Sequence, residues 1–132
     1  MKNTGFTRQQ KALIAGRDLD CVIHYGNHAD PQIIGPCGGD LTHHHLKNRG
    51  AGGVKSRNRV ANGLLICTTA NSRLTHDAAF IAYAYERGWY LRTDYEIGAT
   101  PVWSPRLNRF VYLSDDGDYL DISHNRINQK AA

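Results

Sequence analysis

Residues 40–71 constrain this chain more than any other stretch. Three consecutive histidines, His43-His44-His45, lead into a glycine-rich basic segment, and the apolar pentad Gly63-Leu64-Leu65-Ile66-Cys67 follows. The β-branched and apolar residues of Asp40–Leu46 predict a short strand carrying the histidines. Residues 48–58 hold three glycines and no apolar side chain larger than valine, which predicts an exposed loop. The pentad is too short for a helix and reads as a buried strand. After helix-start signals in Thr68–Thr75, the residues Leu74, Ala78, Ile81 and Tyr85 recur at spacings of 4, 3 and 4. That spacing predicts one apolar helical face, closed by Gly88 as the C′ glycine. The expected order is strand, loop, strand, helix.

The chemistry of the stretch narrows its use. Histidines supply metal ligands and a base that titrates near neutral pH. Lys47, Arg49, Lys55, Arg57 and Arg59 fall within thirteen residues that contain no acid, although the whole chain carries only +4. Most acids come later, in Asp94–Glu96 and Asp115–Asp121. A local cationic stripe suits a phosphate backbone; the plainer reading is a solvated loop made of charges. Beside the histidines, the stripe points to metal-assisted cleavage of nucleic acid.

At 132 residues the chain supports one domain with a single core. No apolar run approaches the roughly 18 residues needed to cross a bilayer, and the start Met-Lys-Asn-Thr-Gly is not a signal peptide. The expected setting is therefore the cytoplasm, without a membrane partner. Three cysteines without a secretory signal point away from a disulfide framework. Thr7 and Gln10 form a capping box for a helix that Gly16 should end. Cys21–His24 reads as a strand or a knuckle, and residues 25–39 as a loop. Beyond Trp89, Thr100–Pro105 is an extended stretch. Arg109–Leu113 and Asp118–Ile122, joined by Ser-Asp-Asp-Gly, predict a β-hairpin packed on the core with Trp103 as its anchor. The acidity of this hairpin favours a stabilising element over a DNA contact.

The segments His44-His45-x3-Arg49-Gly50-x-Gly52-Gly53, Asn62-Gly-Leu-Leu-Ile-Cys67-x3-Asn71 and Gly88-Trp89 resemble, in order and spacing, the HNH endonucleases of bacteriophages. The resemblance covers about residues 17–91. It implies an α+β fold, a ββα-metal (HNH) core with an N-terminal helix and a C-terminal accessory hairpin at about 100–123, all in one domain. It also implies one divalent ion held by His44 and Asn71, with His45 as general base and Asn62 orienting the loop. Mg²⁺ is the expected ion, and Mn²⁺, Ni²⁺ or Zn²⁺ are substitutes. DNA is the implied substrate, cut to 5′-phosphate and 3′-hydroxyl ends. Genome packaging or processing, with phage terminase or packaging proteins as partners, is the implied setting. A homing-type nuclease and a non-catalytic nucleic-acid-binding module with a degenerate metal site are the alternatives.

Strand alternation alone would let His43 and His44 do the same two jobs; the gap to Arg49-Gly50 in the resemblance selects the later pair. His76 lies five positions after Asn71, roughly 140° round a regular helix. It is expected at the surface or facing DNA rather than as a ligand, since the same-face position is Thr75. Arg49 is the best candidate for a phosphate clamp because its planar fork matches a phosphodiester. Lys47, Lys55, Arg57 and Arg59 are candidate backbone contacts. Many relatives place a structural zinc on two Cys-x2-Cys knuckles. Here the first is Cys21-Val-Ile-His24 and the second is half present at Cys67, which makes Cys21, His24, Cys37 and Cys67 a candidate Cys₃His site. The ordinary expectation is stronger: Cys67 as a small buried hydrophobe and the others as simple thiols.

Overall fold

The computed structural model describes residues 5–47 and 57–129, so the candidate phosphate contacts Arg49 and Lys55 lie outside the described residues. Thr7 caps the first helix, α1 (Arg8–Asp18). Its hydroxyl accepts from the Gln10 amide at 3.1 Å, while the Gln10 side chain accepts from the Thr7 amide at 2.9 Å. The expected stop at Gly16 is wrong by two residues. The helix runs on through Asp18 and ends where Leu19 takes a φ of 71°. The extra half turn carries Arg17 and Asp18 into the interior.

Two strands follow the loop. β1 (Leu41–His45) pairs antiparallel with β2 (Gly63–Cys67), placing His44 opposite Leu64, His43 opposite Leu65 and His45 opposite Gly63. Alternation then separates the faces. Leu65 packs with Phe6, Ile14 and Val60 on the side of α1, whereas Leu64 and Ile66 join the main core. Gly63 is required on the α1 side, because a Cβ there would collide with Ile14. Residues 25–39 are not wholly loop: Pro31 starts a short helix, α2 (Pro31–Ile34). Residues 21–25 form turns, not a strand.

Where one helix was expected after β2, there are two. α3 (Thr68–His76) ends at Asp77, and the Asp77 carboxylate accepts from the Phe80 amide to cap α4 (Ala78–Arg87). The break resets the helical phase. Phe80, Tyr83 and Ala84 form the buried face, while Ala78 is exposed and Ile81 and Tyr85 are half-buried. Gly88 does close α4 in the left-handed region, at φ 76°. A Cβ there would strike the Pro101 carbonyl, so the position also admits the chain that follows.

That following chain builds a second sheet. β3 (Val102–Ser104), β4 (Arg109–Leu113) and β5 (Tyr119–Leu120) are antiparallel in that order. The expected hairpin is β4–β5, and the extended stretch before it supplies the third strand. Trp103 lies on β3, half-buried against Phe110 and packed on the core, while the sheet enters the core more deeply through Val102, Val111, Leu113 and Tyr119. Trp89 is the fully buried tryptophan, and its Nε1 donates to the Trp103 carbonyl at 2.9 Å. The whole is a mixed α+β domain with two small antiparallel sheets. Among the described residues no helix is long and apolar enough to cross a membrane.

One ion pair ties these parts together. Arg17 donates twice to the Asp18 carboxylate, at 2.7 and 2.9 Å, and to the carbonyls of Gly63 and Val60. Asp18 also accepts from the Leu65 amide and from the Tyr119 hydroxyl at 2.6 Å. Both side chains of the pair are fully enclosed. Removing one member strands a buried charge. Asp18→Asn is therefore expected to cost about 3–5 kcal/mol. Tyr119→Phe removes one hydrogen bond to a charged group and should cost less, about 1.5–3 kcal/mol. Guanidinium unfolding of the two variants measures the order; an Asp18→Asn protein as stable as the wild type would remove the pair from this role.

Candidate functional site

Alternation along β1 gives the three histidines different surroundings. His43 and His45 face α1: the His43 Nε2 meets the Lys11 carbonyl at 3.2 Å, and the His45 ring stacks on Phe6 with centroids 4.0 Å apart. His44 faces the other way. Its Nε2 lies 2.8 Å from the Trp89 carbonyl, and the ring is buried edge-on to Tyr90. A carbonyl only accepts, so Nε2 carries the proton and Nδ1 keeps the lone pair. Burial pulls the His44 pKa down to about 4, partly offset by the Trp89 carbonyl, so the ring is neutral at pH 7. A neutral imidazole with one N–H fixed by a carbonyl is the state in which histidine binds metal.

His45 sits at the end of β1. Its Nε2 is 2.8 Å from the Asn58 Oδ1, and the Asn58 carbonyl in turn accepts from the Gln10 side chain of the capping box. Donation through Nε2 makes Nδ1 the basic nitrogen of His45. Asn62 is fully buried and makes three hydrogen bonds: its Oδ1 accepts from the Lys47 amide, and its Nδ2 donates to the carbonyls of Lys47 and Arg57. One carboxamide thus joins positions 47 and 57, the two flanks of the basic segment.

A cavity of about 250 Å³ is lined by His43, His44, His45, Asn71, Leu74, Thr75 and Tyr90. Asn71 and Thr75 are one turn apart on α3 and meet it from the same face. The Asn71 carboxamide has no hydrogen-bond partner among the described residues, whereas the Thr75 hydroxyl donates to the Ser72 carbonyl at 2.6 Å. His76 is exposed at the end of α3 and is not part of the lining. A larger open depression of about 750 Å³ between the end of α1 and residues 117–129 contains none of the candidate residues. Of the described basic candidates, Lys47 reaches the Tyr95 carbonyl and Arg59 pairs with Asp115 at the surface.

Cys67 is buried in the core as a small hydrophobe would be, yet the four residues of the candidate Cys₃His site also come together. Cys21, His24, Cys37 and Cys67 place their four donor atoms within 4.8 Å of one another, and the group could hold a metal ion such as zinc. Each arrives for a local reason. The turn after α1, closed by the Tyr25 amide on the Cys21 carbonyl, puts Cys21 and His24 on one side. Cys67 ends β2 and caps α3, its sulfur accepting from the Ala70 amide at 3.4 Å. The loop after α2 delivers Cys37, held by the Thr69 amide on the Gly38 carbonyl. The His24 Nδ1 is 3.1 Å from the Cys21 sulfur and 3.7 Å from that of Cys67. Zinc bonds of about 2.3 Å to sulfur and 2.0 Å to nitrogen in a tetrahedron put such atoms about 3.5 Å apart, so the donor set fits. Burial pushes the Cys21 thiol up to about 12. Burial also opposes ionisation of Cys67, but backbone groups of Gly38 and Ala70 and the neighbouring thiols hold it below its ordinary value. Burial lowers the His24 pKa, favouring the neutral ring that coordinates metal.

Several residues of the site carried no signal in the sequence. Phe6, Asn58 and Tyr90 reach the histidines from distant or irregular segments, and the Trp89 carbonyl is a backbone group. Comparisons with protein-family models, with curated proteins and with solved structures find no match for this chain.

Two measurements follow from this geometry. Chain washed with chelator and refilled with zinc is expected to retain one zinc per chain, and Cys21→Ser to lose it; mass-spectrometric metal analysis showing less than one tightly held zinc would end the structural-zinc reading. Asn62→Ala takes their side-chain partner from three part-buried backbone groups and should cost about 1–3 kcal/mol in urea unfolding.

Proposed function

We propose that this chain is a metal-dependent endonuclease of HNH type that hydrolyses DNA phosphodiester bonds, with β1, β2 and α3 as its ββα-metal core. One observation carries the reading: two paired strands and the helix that follows the second set His44, His45 and Asn71 around a single cavity. A divalent cation bound there would stabilise charge on the phosphate and on the leaving oxygen. His44 offers Nδ1 to such an ion, with its ring turned by the Trp89 carbonyl. Asn71 offers its amide oxygen, and the neighbouring Thr75 offers only a hydroxyl. These are neutral donors, so water and the DNA phosphate complete the shell, which suits Mg²⁺ or Mn²⁺.

His45 takes the proton from the attacking water. Its stack on Phe6 and its bond to Asn58 fix the ring plane. Asn62 holds Lys47 and Arg57 in place at the two flanks of the basic segment, whose cations would supply the phosphate contacts. His43 is engaged by the Lys11 carbonyl and supports α1 rather than the reaction. The Cys₃His cluster, at the end of β2 and the start of α3, is the structural zinc site of this reading. In keeping with the resemblance to phage enzymes, the activity would serve genome packaging or processing, with DNA and packaging proteins as partners.

A second reading is a non-catalytic DNA-binding module built on the zinc cluster. It is favoured by the contrast between four gathered donors at the cluster and the single imidazole and single amide assigned to an ion at the cavity. A plasmid-nicking assay with Mg²⁺, Mn²⁺, Ni²⁺ and Zn²⁺ separates the two. The nuclease reading expects cleavage by the wild type and a loss of about 10²-fold or more in His45→Ala, with DNA binding kept. Wild-type rates in His45→Ala would remove His45 as the base. Binding without cleavage under any of the four ions would leave the module.

A further inference from the structure

We propose that the Cys₃His cluster is a peroxide-sensitive switch, in which the exposed Cys37 forms a disulfide with Cys67, the metal is released and the N-terminus of α3 is unseated. The inference rests on reading the four residues as a zinc site, and it adds to that site a modification chemistry and a consequence for the neighbouring cavity.

Accessibility comes first. Cys21 and Cys67 are 1% and 0% exposed, whereas Cys37 is on the surface, so a dissolved oxidant meets one sulfur of the three. The partners also differ in position. Cys21 and Cys67 lie inside the core with Ile23, Ile66 and Ala70, while Cys37 sits in the loop Gly35-Pro36-Cys37-Gly38-Gly39. That loop is the part able to close the remaining distance to the roughly 2.05 Å of a sulfur–sulfur bond, starting from donor atoms already within 4.8 Å.

The choice of Cys67 follows from its place in the chain. The loop that carries Cys37 is tied to the residues just after Cys67, the Gly38 carbonyl accepting from the Thr69 amide at 3.1 Å, and the Cys67 sulfur lies there at the N-terminus of α3. The Cys21 sulfur is turned instead to the Cys67 amide at 3.2 Å. The reaction balances with a hydroperoxide as oxidant. The Cys37 thiolate attacks one oxygen of hydrogen peroxide; the O–O bond breaks, giving a sulfenic acid and releasing hydroxide. The Cys67 thiolate then attacks that sulfur, the S–O bond breaks and hydroxide leaves. Two thiolates have given two electrons to one peroxide, and zinc, which does not change oxidation state, loses two of its four ligands.

The consequence runs along α3. Cys67 caps this helix through the Ala70 amide, and Asn71 and Thr75, one and two turns further on, line the histidine cavity. A sulfur drawn into a disulfide no longer caps, and the first turn of α3 loses a partner for its amides.

The test uses the full chain loaded with zinc and treated with hydrogen peroxide. Zinc release is followed with a chromogenic chelator, the disulfide is mapped by mass spectrometry of an unreduced digest, and α3 is followed by amide hydrogen exchange. Expected are release of one zinc per chain, a Cys37–Cys67 linkage, and lost protection across residues 68–76, all reversed by reductant plus zinc. Cys37→His keeps four donors as Cys₂His₂ and removes the exposed thiol, so it should hold zinc and release it under peroxide about ten-fold more slowly or less. Release from Cys37→His at the wild-type rate, a linkage that omits Cys37 or Cys67, or unchanged protection of α3 after oxidation would each overturn the switch. A wild-type chain that holds no zinc fails the metal reading by itself, and the disulfide map of that chain then decides the Cys37–Cys67 step alone.

Discussion

The enclosed pair of Arg17 and Asp18 is the interaction on which the rest of the structure depends. Taking two charges out of water costs several kcal/mol for each ion, and the pair survives only if every remaining donor and acceptor is met. Here they are met by parts of the chain far apart in sequence: the carbonyls of Val60 and Gly63, the Leu65 amide and the Tyr119 hydroxyl. Satisfying one pair therefore fixes α1, the start of β2 and the C-terminal sheet relative to one another. It also settles the second edge of β2. One edge pairs with β1; on the other, the Leu65 amide meets Asp18 and the Leu65 carbonyl meets the Val22 amide. With both edges occupied, β2 cannot slip, and the histidines opposite it keep their faces.

α3 carries that fixed register to the site. It begins on the sulfur of Cys67 at one end of β2, and its next two turns present Asn71 and Thr75 beside β1. The break at Asp77 then matters for His44. Because α4 starts afresh, it turns Phe80, Tyr83 and Ala84 inward and ends at Gly88, which sends Trp89 into the core with its carbonyl on His44. Had a single helix continued with the phase of Leu74 and Ala78, Tyr85 would have faced the core in place of Tyr83. The orientation of one histidine ring thus depends on a helix cap twelve residues before the carbonyl that holds it.

What was legible in the sequence was local. The Thr7–Gln10 box, the apolar pentad, Gly88 and the Asp-Gly turn each act within a few residues, and each appears where its chemistry requires. What was not legible came from distant parts of the chain. Nothing near Arg17-Asp18 distinguishes a buried pair from a solvated helix end, since the partners lie more than forty residues away. Asp77 reads as an ordinary polar residue in a helical run until its carboxylate is seen capping the next helix. Cys37 has no knuckle spacing, so the fourth donor of the cluster depended on how a loop folds back. The triplet of histidines was readable as a pattern but not as three environments, because alternation sets the faces while α1 and Trp89 decide what each face meets.

The two donor groups served by α3 differ in kind, and the difference follows from what surrounds them. At the N-terminus, three sulfurs and an imidazole are gathered, a set that could hold a metal ion such as zinc and whose removal would cost the helix its cap. At the cavity, the neutral His44 imidazole and the Asn71 amide are the groups placed to meet an ion. Such a set binds a hard ion weakly by itself and more strongly once an anionic phosphate joins the shell. On the proposed reading this is an advantage, because the ion is then held where substrate is present. It also sets the direction of dependence: the cluster supports the helix that shapes the cavity, and nothing in the cavity is needed to build the cluster.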